Sequence, residues 1–240
     1  MKTQMVVEDW QGKHNLDPNA KDRIIRGSTY KDASTVCVIP TRGMIPAKVV
    51  QNWMSLISPM NQKFTRVFMI GLEVGEAYSQ AIEMILANSE LSKWKYVLTL
   101  EEDNLPPPDG IIKLIEALNT GYDAVSGLYW TKGEGGQPMI YGDPNVMPRN
   151  FIPQIPQPDT IQQCNGLGMG FTLFRLDMFK DQRIPRPWFK TMGEYKEGIG
   201  VAVITQDLYF FNNALAYGYK FACDTRIKVG HYDVERDIVW

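Results

Sequence analysis

The chain has 240 residues, of which 44% are hydrophobic and 22% charged; this balance excludes wholesale disorder, a collagen-like repeat and a coiled-coil rod. Lysine and arginine total 25 against 27 aspartates and glutamates, a formal net charge of -2, so no global basic field draws in nucleic acid. Three scattered cysteines, Cys37, Cys164 and Cys223, without CxxC spacing, argue against a disulfide framework or structural zinc and lead us to expect reduced thiols in a cytoplasmic protein.

Residues 1–33 are polar with weak periodicity and read as an N-terminal extension. The apolar run Val36–Ile39, ended by Pro40, predicts a buried strand. Pro46 then opens a helix bearing Val49, Val50, Trp53, Met54 and Ile57, stopped by Pro59. A second strand covers Val67–Ile70, and a second helix carries Tyr78, Ala81, Ile82, Ile85 and Leu86. A third strand, Tyr96–Leu100, runs into Glu101, Glu102, Asp103 and Asn104. Three prolines, Pro106 to Pro108, end it. Asp109 caps a third helix with Ile111, Ile112, Leu114, Ile115 and Leu118 inward, closed by Gly121. Ala124–Leu128 is a fourth strand. Residues 143–158 are proline-rich and irregular. Phe171–Phe174 is a further strand, a last helix runs from about Asp207 to Tyr217, and Phe221–Cys223 and Ile227–Val229 finish the apolar pattern. No apolar run reaches the ~18 residues of a membrane span, and a signal-peptide pattern is not seen at the start.

The alternation of strand and helix predicts an α/β fold with a mostly parallel, nucleotide-binding type of central sheet flanked by helices. Ligands of such sheets sit at the carboxyl ends of the strands, where Glu101, Glu102 and Asp103 fall. No cation lies between Tyr96 and Lys113. Three adjacent carboxylates repel one another and call for a positive partner, and hard oxygen donors suit magnesium or manganese. Alternation along an extended strand puts Glu101 and Asp103 on one face and Glu102 on the other. The competing reading is an acidic turn solvated by water.

Three other places invite chemistry. His231, after an apolar run, reads either as a metal ligand beside a carboxylate or as a hydrogen-bonded strand-end histidine. Asp207 opens an apolar helix, where an acid is favoured by the helix dipole; it also suits a general base. Gly166, Gly168 and Gly170 precede a strand rather than a helix, so they are no dinucleotide loop; they form a bulge or admit a sugar closely. The loop Lys180–Lys196, with Lys180, Arg183, Arg186, Lys190, Trp188 and Phe189, reads as a surface loop or as one that closes over a diphosphate and stacks on a sugar. Tyr129, Trp130, Lys132, Glu134, Gln137 and Pro138 are placed for acceptor contacts, and Trp130 reads equally as a core residue.

The stretch YVLTLEEDNLPPPDGIIKLIEAL resembles the metal-binding segment of GT-A fold glycosyltransferases, in which a strand ends in an Asp-x-Asp motif. Glu101 stands where the first Asp is usual and Asp103 matches the second. VCVIPTRG is similar to the first strand and nucleotide-contacting loop of that fold, GLGMGFTLFRLDMF to the strand under the donor sugar, TQDLYFFNNALAYGY to the helix with a Glu-Asp pair (Gln206 replacing the Glu, Asp207 matching the Asp), and FACDTRIKVGHYD to the strand that gives a histidine to the metal. The resemblance, closest to family-2-like enzymes of bacterial or phage type, spans residues 34–233. It implies a single GT-A-like domain over 34–240, with a nucleotide-binding half (34–130) and an acceptor-binding half (131–240). It further implies transfer of a sugar from a UDP- or GDP-linked donor to an acceptor hydroxyl on a glycan, protein or modified nucleobase. Mn2+ or Mg2+ would be held by Glu101, Asp103 and His231, the donor by Pro40, Thr41, Arg42, Glu102, Gly168 and Trp188, and Asp207 would be the catalytic base in an inverting transfer or would orient the sugar in a retaining one. A sugar-phosphate nucleotidyltransferase, or a noncatalytic nucleotide-sugar-binding scaffold of the same fold, is the alternative.

Overall fold

The structure, a computed structural model, describes residues 5–10, 32–196 and 200–240. The first half comprises β1 (Met5–Trp10), β2 (Thr35–Thr41), α1 (Ala47–Met54), β3 (Phe64–Ile70), α2 (Val74–Ala87), β4 (Tyr96–Leu100), β5 (Asn104–Leu105), α3 (Gly110–Leu118) and β6 (Ala124–Leu128). Then come β7 (Ile140–Tyr141), β8 (Ile161–Cys164), β9 (Gly166–Leu167), β10 (Phe171–Arg175), β11 (Met192–Lys196) and β12 (Gly200–Ile204). The chain closes with α4 (Gln206–Leu215), β13 (Phe221–Lys228), β14 (Gly230–Asp233) and β15 (Ile238–Val239).

The main sheet has the order β1-β3-β2-β4-β10-β6-β13-β8. Strands β2, β3, β4, β6 and β13 share one direction, while β1, β10 and β8 run against them. The insertion of β10 between β4 and β6 brings the glycine-rich segment before it against the acidic end of β4: the Glu101 amide donates to the Gly170 carbonyl at 3.1 Å. Because side chains alternate across a strand, the sheet feeds two cores. Val36, Val38 and Val97 meet α2 and α4 on one face. Cys37, Ile39, Leu98 and Leu100 meet α1 and α3 on the other. Pro40 lies inside β2 yet is tolerated, since the β2–β4 pairing has already ended at Val38 and Thr99.

Several expectations are refined. Part of the N-terminal extension is strand β1, paired antiparallel to β3 at the sheet edge; residues 1–4 and 11–31 of that extension lie outside the described residues. The first helix ends at Met54, because the Ile57 amide leaves it for the Pro108 carbonyl at 2.8 Å. Asp109 occupies the cap position of α3 without a capping hydrogen bond; its carboxylate pairs with Lys113 at 2.7 Å. The two last apolar runs join into β13, with an irregularity between Asp224 and Lys228. Among the described residues no helix is long and apolar enough to cross a membrane. Cys37, Cys164 and Cys223 are free and buried, and burial pushes the Cys37 and Cys223 thiols up to about 12.

Candidate active site

Leaving β4, the chain turns at once, with the Asn104 amide donating to the Glu101 carbonyl at 3.1 Å. The acidic triplet is therefore a turn between β4 and β5, not an extended strand end, and its three side chains go to three different partners. Glu102 accepts from the Thr41 hydroxyl at 2.6 Å, the Arg42 amide at 3.0 Å and the Arg42 Nε at 2.6 Å. Asp103 Oδ2 takes the Lys132 ammonium at 2.5 Å and faces His231 Nε2 at 3.4 Å. Glu101 accepts from the buried Tyr78 hydroxyl at 3.4 Å. The sequence lacks a cation beside the triplet; the fold supplies Arg42 and Lys132 from remote segments.

These contacts surround a cleft of about 300 Å³ lined by Pro40, Thr41, Arg42, Leu72, Val74, Glu101, Glu102 and Asp103. Two segments with distant positions in the chain, Pro40–Arg42 and Glu101–Asp103, thus form one site, as predicted for the carboxyl ends of neighbouring strands. Its floor is fixed from below: the Trp53 indole donates to the Asn104 carbonyl at 2.9 Å, and the Tyr232 amide to the Asp103 carbonyl at 2.7 Å.

Electrostatics separates the three acids. Burial, then the charges of Asp103 and Asp207, pushes the Glu101 carboxyl up to about 8. Burial would also raise Asp103, but hydrogen bonds with His231 and Lys132 outweigh it and hold that carboxyl below its usual value. Asp207 is 5% exposed. Burial raises its carboxyl against hydrogen bonds from the Thr205 hydroxyl and from the Leu208 amide at 2.8 Å. Repulsion from its charge also contributes to raising Glu101, Tyr129 and Tyr141.

His231 is oriented from behind. Its Nδ1 lies 2.7 Å from the Trp130 carbonyl oxygen. A carbonyl only accepts, so Nδ1 carries the proton and Nε2 faces Asp103. With a hydrogen on Nε2 the ring donates to Asp103; without one it turns a lone pair toward that carboxylate oxygen, a contact that a cation between them relieves. The separation is close to the ~3 Å edge of an octahedral magnesium-sized site, and one nitrogen with one oxygen donor suits Mn2+ or Mg2+. The pair therefore fits the implied metal. Glu101 does not join it: among the described residues no group of three or more His, Cys, Asp or Glu side chains is disposed to hold a metal, and Glu101 turns instead to Tyr78.

Two expected donor contacts are corrected. Trp188 is 1% exposed; it packs edge-on to Phe179, with the Arg186 guanidinium 4.6 Å above its ring. Phe189 beside it stacks within 4.8 Å of Phe210, and its backbone exchanges hydrogen bonds with the Ser79 hydroxyl. This part of the loop is core, because two adjacent aromatics release more free energy buried than as a sugar platform in water. The side chains of Glu194 and Lys196 in the same loop lie outside the described residues. Gly168 is buried, and a Cβ there would lie 2.2 Å from the Tyr129 hydroxyl and 2.8 Å from the Met139 methyl. Its missing side chain makes room for Tyr129, whose hydroxyl accepts from the Gly170 amide at 2.8 Å, rather than for a ligand. Gly168→Ala is accordingly expected to destabilise the fold by about 1–3 kcal/mol, read as a lower urea midpoint with an unchanged slope.

Two contacts of the site escape a reading of the sequence. Lys132, expected among the acceptor contacts, sits on Asp103. Tyr78, expected only as a core residue of its helix, reaches Glu101. Neither contact has a local signature.

No family model matches the sequence, and no curated protein matches it. The structure is similar to that of A197 from STIV, with 21% identity, a TM-score of 0.59, and coverage of 86% of this chain and 92% of that one. It is also similar to GalNAc-T7, solved with UDP, GalNAc and Mn2+, with 10% identity and a TM-score of 0.55. That match covers 84% of this chain and 44% of GalNAc-T7, so the chain spans less than half of that protein. At these identities the likeness speaks to architecture, and in that respect it agrees with the motifs: the chain has the GT-A fold.

Proposed function

We propose that the protein is a metal-dependent glycosyltransferase that moves a sugar from a nucleoside-diphosphate sugar to an acceptor hydroxyl. The observation that carries this reading is the Asp103–His231 pair, whose Asp103 lines the cleft beside Pro40–Arg42. The likeness to GalNAc-T7, crystallised with UDP, GalNAc and Mn2+, supports the same class of donor.

Asp103 and His231 would hold the divalent cation, which when bound supplies positive charge to the leaving diphosphate. Glu102 fixes the Pro40–Arg42 loop by tying down the Thr41 hydroxyl and the Arg42 amide, which presets one wall of the nucleotide pocket. The Arg42 side chain is 86% exposed and free at its outer edge to meet donor groups. Glu101, partly buried and readily protonated, faces the donor as a hydrogen-bonding group and not as a metal ligand. Asp207, buried and raised in proton affinity, takes the proton of the acceptor hydroxyl in an inverting transfer. Trp130, on the segment after β6, would border the acceptor side.

A thermal-shift series with UDP and GDP, each with and without Mn2+, tests the donor class. A ligand that binds only the folded state at 100 times its Kd stabilises by about 2.7 kcal/mol, a shift of several degrees. The expected result is a Mn2+-dependent rise with at least one nucleotide. Flat melting curves with both, in either condition, would refute nucleotide-sugar binding.

A further inference from the structure

We propose that Lys132 is a tethered cation that occupies the metal seat on Asp103 when no metal is bound and is displaced when a divalent cation arrives. The inference rests on the metal reading of Asp103 and His231 and concerns what fills that place beforehand.

Lys132 Nζ and His231 Nε2 address the same oxygen, Asp103 Oδ2, at 2.5 and 3.4 Å. A divalent ion bound to that oxygen sits about 2.1 Å from it. An ammonium retained beside the same atom would lie within a few ångströms of a double positive charge, at a cost that outweighs the single hydrogen bond it keeps. The two cations therefore exclude one another. Without either, Asp103 would be a partly buried carboxylate beside Glu102, whose own charge Arg42 already neutralises. Lys132 removes that imbalance in the unloaded protein.

The chain gives this lysine freedom to leave. Residues 129–139 form a hairpin closed by the Met139 amide on the Tyr129 carbonyl and the Thr131 amide on the Gln137 carbonyl, both at 2.9 Å, with a bridge between Trp130 and Pro138. Its base is fixed to the site through the Trp130 carbonyl on His231. Its tip holds Gly133 and Gly135 with φ of +102° and +76°, conformations that glycine adopts without strain. Lys132 thus projects from a fixed base on a flexible four-carbon stem, one third exposed, and can swing from the carboxylate without unfolding its support. One hairpin carries both the carbonyl that orients the histidine and the ammonium that competes for its partner.

The test is Mn2+ binding by electron paramagnetic resonance, with no nucleotide present, to wild type, Lys132→Met and Lys132→Arg. Loss of the competitor is expected to tighten Mn2+ binding roughly tenfold in Lys132→Met, while Lys132→Arg, which keeps the cation, stays within about twofold of wild type. Acylation of wild-type lysines by an amine-reactive ester, read by mass spectrometry, is expected to speed up several-fold at Lys132 when Mn2+ is added, with Lys113 and Lys180 unchanged. Equal or weaker binding by Lys132→Met, or no change in acylation at Lys132, would overturn the inference and leave the metal site standing. Equal tightening by the arginine variant would also overturn it. Failure of wild type and Lys132→Met alike to bind Mn2+ would overturn both the inference and the metal site.

Discussion

Asp103→Ala is expected to lower kcat/KM for sugar transfer by about 10²–10³-fold or more and to erase the Mn2+-dependent part of nucleotide binding. Asp103 is the residue on which His231 and Lys132 converge, so its removal leaves an imidazole and an ammonium facing each other with nothing to hold a cation. The fold should survive, because the contact that Asp103 makes to β14 uses its backbone carbonyl, which accepts from the Tyr232 amide. Isothermal titration of UDP or GDP with and without Mn2+, beside steady-state transfer or donor-hydrolysis rates, checks both parts. A variant with wild-type metal response would place the diphosphate elsewhere.

Asp207→Asn is the second large effect. Asparagine keeps an oxygen that can accept from Thr205 and from the Leu208 amide, so the start of α4 should remain intact. What it loses is the ability to take a proton. The expected outcome is a fall in kcat of about 10²–10⁴ with donor affinity unchanged. Rates and donor Kd measured on the same preparation separate this from a structural role. A rise in KM at normal kcat would show that Asp207 orients a substrate and is not the base.

The elements built on strong local signals are legible in the sequence. β4 and β6 have the predicted bounds, and α2 and α4 match within a few residues, because apolar spacing and the proline and glycine stops act locally. The placement of β10 is not legible: Phe171–Phe174 reads as a strand, but nothing in it says that it divides β4 from β6 or runs against both. The short strands β5, β7, β9, β14 and β15 are set by pairing across the chain, and two- to four-residue segments carry no period. The same division holds at the site. Asp103 and His231 stand out through their place at strand ends, and the structure brings them together. Pairing Glu101 with Asp103 requires an extended strand, and the turn at Glu101–Asn104 breaks that alternation. Trp188 has the sequence surroundings of a stacking residue, since the charges around it suggest a surface loop; its burial against Phe179, in the core cluster that also holds Phe189 and Phe210, is a tertiary fact. The charge partners Arg42 and Lys132 lie 60 and 29 residues from the acids they neutralise, so neighbours in sequence alone leave the triplet uncompensated.

The most direct measurement is a crystal structure of the protein grown with Mn2+ and UDP, or GDP if that is the nucleotide that shifts melting, with anomalous data collected near the manganese edge. The account predicts an anomalous peak within about 2.3 Å of both an Asp103 carboxylate oxygen and His231 Nε2, in contact with the diphosphate, with Lys132 withdrawn from Asp103. A peak held by other residues, or a nucleotide bound in the Pro40–Arg42 cleft while Asp103 still pairs with Lys132 and no manganese lies between it and His231, would contradict it.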